Sequence, residues 1–125
     1  MSIQIPDSLL LSVQKPARYI GGEVNTVTKD LKDVHAHVCF CFPDVYDVGM
    51  CHLGLQILYH GLNSYEGVFC ERCFAPWTDM EELMRRKDIP LYSLETFTPL
   101  HEFDFVGFTL QYEMSYTNIL NMMDL

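Results

Sequence analysis

Val34-His35-Ala36-His37-Val38-Cys39-Phe40-Cys41-Phe42-Pro43-Asp44 is the stretch on which the fold turns. It becomes apolar on both faces towards its end and is closed by Pro43-Asp44, the pattern of a buried strand in a parallel sheet. Downstream the period changes. Leu55, Leu58, Tyr59 and Leu62 repeat at i, i+3, i+4 and i+7, predicting a helix over 50–63 that ends at Gly61 and Asn63. A short apolar run predicts a second strand at 67–70. Thr78-Asp79-Met80-Glu81 then reads as a capping box opening a helix with Met80, Leu83 and Met84 on its buried stripe. Arg85, Arg86 and Lys87 suit the negative end of its dipole, and Pro90 follows its stop. Runs at 91–94 and 105–110 predict a third and a fourth strand, with Gly107 marking close approach of another backbone. From Ser115 onward Tyr116, Ile119, Leu120 and Met123 return to helical spacing.

Upstream, residues 1–33 read as a helix and a wrapping segment laid on a core formed by 34–125. The helix is expected at 7–14, capped by Asp7 or Ser8, with Leu9, Leu10 and Val13 as its stripe and Pro16 as its stop. Residues 18–25 hold the paired glycines Gly21 and Gly22 and read as a turn. Strands alternating with helices at these lengths predict an α/β, Rossmann-like parallel sheet of four strands in the order 3-2-1-4, with flanking helices. That is about half of a doubly wound domain. The last helix reaches Leu125 without a glycine, proline or basic closing turn, so the chain is expected to be an N-terminal fragment truncated at its C-terminus. Strand 105–110 would then carry a bare apolar edge, and either self-association through it or only marginal stability is expected.

Composition limits the function. The chain has 125 residues, 49% apolar and 20% charged, as one globular domain does. Its formal net charge is -9. Residues 1–33 carry four acidic and four basic side chains, so the whole excess lies in 34–125. Such a surface repels phosphate backbones and anionic lipid, which disfavours direct nucleic-acid or membrane binding. No signal peptide or membrane span is legible, and five cysteines, an odd number, fit reduced thiols in the cytoplasm.

In an open parallel sheet, ligands bind outside the carboxyl ends of the strands. Two loops qualify. The first is 43–54, offering Asp44, Tyr46, Gly49, Met50, His52 and Gly54; the second contains Gln111, Tyr112 and Glu113. Together they make a cradle for a polar ligand, although Asp44 and Asp47 also suit plain turn and cap roles. Neither phosphate-binding glycine motif is present. Cys51 beside His52 at a helix start is a candidate nucleophile, with a small core residue as the alternative. His35, His37, Cys39 and Cys41 share a strand face, yet neighbouring same-face positions lie roughly 7 Å apart, too far for all four to meet one ion. Cys70-x-x-Cys73 is half of a zinc knuckle without its second half, so no metal ligands and no catalytic residues are assigned.

Several blocks resemble one known family. They are Arg18-Tyr19-Ile20-Gly21-Gly22-Glu23 with Asn25; Phe42-Pro43-Asp44-Val45-Tyr46 through Gly49-Met50 and Leu53-Gly54; and Ala75-Pro76-Trp77 with Asp79-Met80-Glu81. Pro90-Leu91-Tyr92-Ser93-Leu94-Glu95 and the block from Phe103 to Asn121 complete the set. The chain resembles the N-terminal region of a family of uncharacterised bacterial radical S-adenosylmethionine proteins. The resemblance implies a cobalamin-binding-like Rossmann domain ahead of a barrel that binds S-adenosylmethionine and a [4Fe-4S] cluster. That downstream barrel is the expected partner and cobalamin the candidate cofactor of this domain. The cluster motif C-x-x-x-C-x-x-C is absent here. So is the cobalt-ligating D-x-H-x-x-G, since Asp47, His52 and Gly54 stand at other spacings. An accessory domain of a radical S-adenosylmethionine enzyme is therefore expected, with a scaffold that holds no cofactor as the rival reading and a thiol enzyme using Cys51 as a third.

Overall fold

The computed structural model describes residues 2–125. Its sheet has three parallel strands, β1 (Ala36–Phe42), β2 (Val68–Phe74) and β3 (Phe105–Phe108), in the order β2-β1-β3. The α/β class and the parallel sheet agree with the sequence reading, whereas four strands in the order 3-2-1-4 do not. The predicted third strand, 91–94, makes only an isolated antiparallel bridge between Tyr92 and Pro99. It lies beside β2, where the Leu94 amide donates to the Arg72 carbonyl at 2.9 Å. Pro90 and Pro99 lack amide donors, and Phe97 takes a left-handed φ of 55°, so the segment doubles back instead of extending.

Among the described residues five α-helices flank the sheet: α1 (Asp7–Leu10), α2 (Tyr46–Gly49), α3 (Leu53–Asn63), α4 (Thr78–Lys87) and α5 (Ser115–Asp124). Register sorts the side chains into two layers. Phe40 and Phe42 of β1 and Phe74 of β2 pack with Leu55 of α3. On the other face Cys39, Cys41 and Cys73 pack with Met80 and Met84 of α4, Met122 of α5, and Leu9 and Val13 of the N-terminal segment.

Several local expectations are corrected. The helix foreseen at 50–63 starts later, at Leu53, because His52 takes its cap position, and a separate single turn, α2, precedes it. On α3, Leu55 and Tyr59 are buried, while Leu58 of the foreseen stripe is exposed. Helix α1 is shorter than 7–14, and neither Asp7 nor Ser8 caps it; Pro6 holds the cap position without a side-chain bond. The capping box does not form either. Trp77 is the cap of α4, Glu81 pairs with Arg85 at 3.2 Å, and the neighbouring Asp79 accepts the Gln14 amide at 2.7 Å. On α5, Ser115 and Met122 are buried, whereas Tyr116, Leu120 and Met123 are exposed.

Strand β2 runs past 67–70 through Glu71 and Arg72, both buried. The link from α3 into β2 is held from outside by Lys29. Its ammonium donates to the carbonyls of Asn63 (2.9 Å), Tyr65 (2.6 Å) and Val68 (2.6 Å).

Candidate functional site

The carboxyl ends of β1 and β2 are where a ligand cleft belongs in this architecture. Here the N-terminal segment lies across them. Arg18 Nε and Lys15 Nζ reach Asp47 at 2.5 and 3.1 Å, and the Tyr46 hydroxyl donates to the Glu23 carboxylate. Beneath these contacts Tyr19 is buried. Its hydroxyl accepts the Trp77 amide at 3.1 Å, and its carbonyl accepts the Tyr92 hydroxyl at 3.2 Å. Gly21 has a φ of 63°, and a Cβ placed there would stand 2.2 Å from the Leu94 carbonyl oxygen, so glycine is required at this crossing. The space left is a cavity of about 20 Å³ lined by Arg18, Tyr19, Tyr46, Phe74, Tyr92 and Leu94 among others. That volume suits a single water.

Electrostatics follows from the same contacts. The Lys15 ammonium, with Arg18, holds the exposed Asp47 carboxyl below its ordinary value of 3.8. Burial and the Glu23 carboxylate push the Tyr46 phenol up to about 12. A carboxylate with a lowered folded-state pKa contributes its interaction above the unfolded value, and that contribution is lost as pH falls through the folded one. The Asp47 tether is therefore expected to be complete at neutral pH and to release only below pH 3.8. Trp77, the sole tryptophan, lies 5.6 Å beneath the Arg18 guanidinium and reports the event. Its emission should shift on acidification below that point, and Asp47→Asn should show the shifted emission already at neutral pH. An unchanged acid profile in Asp47→Asn would assign the transition to another carboxylate.

The sequence-nominated residues are placed as follows. Asp44 Oδ1 accepts the Val45 amide at 2.7 Å, and the Asp44 carbonyl accepts the Ala75 amide at 3.0 Å. Gly49 is buried against the Phe74 ring, where a Cβ would come within 2.4 Å. The Met50 carbonyl accepts from Gln56 Nε2 at 2.8 Å. His52 caps α3, its Nδ1 accepting the Leu55 amide at 3.2 Å while its ring rests on Phe42, and Gly54 leaves room for that ring. Across the sheet, Gln111, Tyr112 and Glu113 are exposed. The two loops meet where Asn118 Nδ2 donates to the Pro43 carbonyl at 2.9 Å.

Sequence reasoning passed over the charged pair inside β2. Arg72 donates from Nε and from its backbone amide to the two oxygens of Glu95, both at 2.7 Å, and its guanidinium stacks 3.9 Å over the Tyr59 ring. Glu71, on the opposite face, accepts from Thr96 and meets His37 Nε2 at 2.6 Å. These bonds fasten the 93–98 segment to the sheet. The legible signal was two adjacent charges inside an otherwise apolar run.

Cys39, Cys41 and Cys73 are buried together, with 3.9 Å between the sulfurs of Cys39 and Cys41. Burial pushes the Cys39 and Cys73 thiols up. Cys70, four residues before Phe74 on β2 and so on the same face, is buried in the other layer, and Cys51 is exposed. Among the described residues no group of three or more His, Cys, Asp or Glu is arranged to hold a metal ion. Thiols fixed on strands within a packed core do not fit an iron-sulfur cluster. A cobalamin-sized ligand likewise does not fit the closed cleft over β1 and β2 while residues 15–23 lie across it. No helix among the described residues is long and apolar enough to cross a membrane.

No curated protein and no solved structure matches the chain. A family model described as "Radical SAM proteins, N-terminal" matches residues 54–125, which take in α3, β2, α4, β3, α5 and the 93–98 segment. That is more than half of the sequence, and the chain belongs to this family of radical S-adenosylmethionine protein N-terminal regions.

Proposed function

We propose that this chain is an accessory, non-catalytic domain of a radical S-adenosylmethionine enzyme, lending an interaction surface to a downstream barrel that carries the [4Fe-4S] cluster. The observation that supports this reading is the filling of the carboxyl-end cleft by the chain's own residues 15–23. The rim left open there exposes large apolar side chains beside Gln111 and Glu113: Val48, Leu53, Leu110, Tyr112 and Met114, in or beside the loops that follow β1 and β3. Exposed large side chains concentrated at one end of a sheet suit a protein partner better than a small polar ligand. The proposed compartment is the cytosol, supported by five unpaired cysteines.

A second reading has loops 43–54 and 111–115 holding cobalamin or a polar substrate. The bond from Asn118 to Pro43 favours it, because it joins those loops between neighbouring strands. Equilibrium dialysis against hydroxocobalamin up to high micromolar concentration separates the two. No retention is expected. Stoichiometric retention that is lost in Asp44→Ala and Tyr112→Ala would install the second reading. A reading frame that continues beyond residue 125 into a C-x-x-x-C-x-x-C segment is the further expectation, and one that continues into an unrelated domain would remove the proposal.

A further inference from the structure

Helix α5 is anchored on one flank and open on the other. Arg85 of α4 reaches Asn121 at 2.7 Å and Asp124 at 2.8 Å, and Met122 is buried in the layer that holds the three thiols. Tyr116, Leu120 and Met123, at i, i+4 and i+7, form a stripe that is 57%, 66% and 67% exposed. Beside it runs a largely apolar groove of about 420 Å³, walled by Leu91, Leu100, Val106, Phe108, Met122 and Met123 among others.

The groove adjoins a second cavity, of about 400 Å³, with which it shares Pro90 and Leu125. This one is lined by two carboxylates, Asp88 and Asp124, and by Arg85. Its negative charge is not balanced from within. Arg85 is already bonded to Asp124 and to Glu81, while the exposed Asp88 carboxylate has no partner among the described residues. The other basic residues that close α4 are engaged elsewhere: Arg86 pairs with Glu82, and Lys87 lines a separate cavity with Ser8 and Leu9.

An apolar wall that ends in unbalanced negative charge selects its occupant. A second copy of this chain would bring the same carboxylates and a net charge of -9 against this face. A segment that carries an apolar stripe and, beyond it, a basic side chain matches both halves at once. The stripe on α5 has the spacing into which the ridges of another helix pack, and Met122 and Met123 can adapt to what is offered. The ten residues of α5 span about 15 Å, so about three turns of a partner helix would cover them.

We propose that this face docks an amphipathic helix of a partner protein, whose apolar side chains fill the groove along α5 and whose lysine or arginine enters the cavity of Asp88 and Asp124. The groove is built from the last turn of α5 and from residues before and within β3, not from the loops that follow β1 and β3. The proposal therefore stands or falls separately from the accessory-domain reading.

The probe is a fluorescently labelled leucine–lysine peptide with leucines at i, i+3, i+4 and i+7. Its anisotropy should rise on titration with the 125-residue chain. A peptide of the same composition with leucines at alternate positions should bind about tenfold more weakly or worse. Met123→Lys should weaken the helical peptide by about tenfold or more, since it puts a like charge on the apolar wall. Asp88→Asn should weaken it by about threefold and flatten its dependence on salt. Both residues are exposed, so the far-ultraviolet dichroism should not change. A helical peptide with glutamate in place of lysine makes the same contrast on the unaltered chain and should not bind. Equal binding of the helical and alternating peptides, binding that Met123→Lys leaves untouched, or binding of the glutamate peptide would each overturn the proposal. So would sedimentation that shows a dimer of this chain which the helical peptide does not dissociate, because a second copy would then hold the face.

Discussion

Glu95→Ala is expected to lower the stability of the domain by about 3–5 kcal/mol, the usual consequence of leaving a buried charge without its partner. Arg72 is 1% exposed and donates to both carboxylate oxygens of Glu95, whose own side chain is 1% exposed. Burial raises the Glu95 carboxyl, and the Arg72 guanidinium opposes the shift. With Glu95 gone, the contacts of Arg72 with the Tyr59 ring and with Gln56 at 3.4 Å cannot replace a carboxylate. A domain of this size has a total stability of about 5–15 kcal/mol, so the variant should unfold at much lower urea concentration. Replacing both partners, as Arg72→Met with Glu95→Leu, should recover much of the loss, because the desolvation cost disappears along with the attraction. A single-variant loss under about 1 kcal/mol would mean that water reaches Arg72 in the folded state.

Gly21→Ala is the second large effect. A left-handed φ costs an alanine about 1–2 kcal/mol. The added Cβ would also meet a backbone oxygen at 2.2 Å, a group that cannot rotate aside. Together with the overpacking penalty of about 1–3 kcal/mol, this should lift residues 15–23 from the carboxyl ends of β1 and β2. The expected result is faster amide exchange over 15–23 and a shifted Trp77 emission, with the amides of β1 still protected. Gly22→Ala separates strain from collision, because Gly22 shares a positive φ of 81° but has no heavy atom within 4 Å of a Cβ there. It should lose only the conformational share. Equal losses in the two variants would show that backbone strain alone accounts for the effect.

Both effects arise from features that the sequence hid for physical reasons. Strand β1 and helices α3 to α5 were legible because their apolar residues recur with one period each. Strand β2 was read too short, since Glu71 and Arg72 look like a chain leaving the core, and partners distant in sequence, His37 and Thr96 for Glu71 and Glu95 for Arg72, make their burial tolerable. The predicted strand at 91–94 had the right composition but the wrong neighbours: its job is to turn and deliver those partners. Thr78 and Glu81 had the spacing of a capping box, yet Glu81 turns to Arg85 and the helix begins one residue earlier, with Trp77 as its cap. At the candidate site, the glycine pair and the loops were visible, whereas the pairing of Lys15 and Arg18 with Asp47 depends on contacts about thirty residues apart that no local pattern encodes. Read as a cradle, the 43–54 loop looked open; folded, much of it is already engaged by its own chain.

The division of the thiols gives the molecule an internal clock. Cys51 meets solvent, whereas Cys39, Cys41, Cys70 and Cys73 are sealed on both faces of the sheet. A small alkylating reagent therefore finds one site at once and the others only when the sheet parts. If reclosing is faster than alkylation, the slow phase reads the free energy of opening directly. The two layers open separately if Cys70 reacts at a different rate from the trio beneath α4, and together if the sheet is one cooperative unit. Native cysteines thus time the breathing of each layer without an added label.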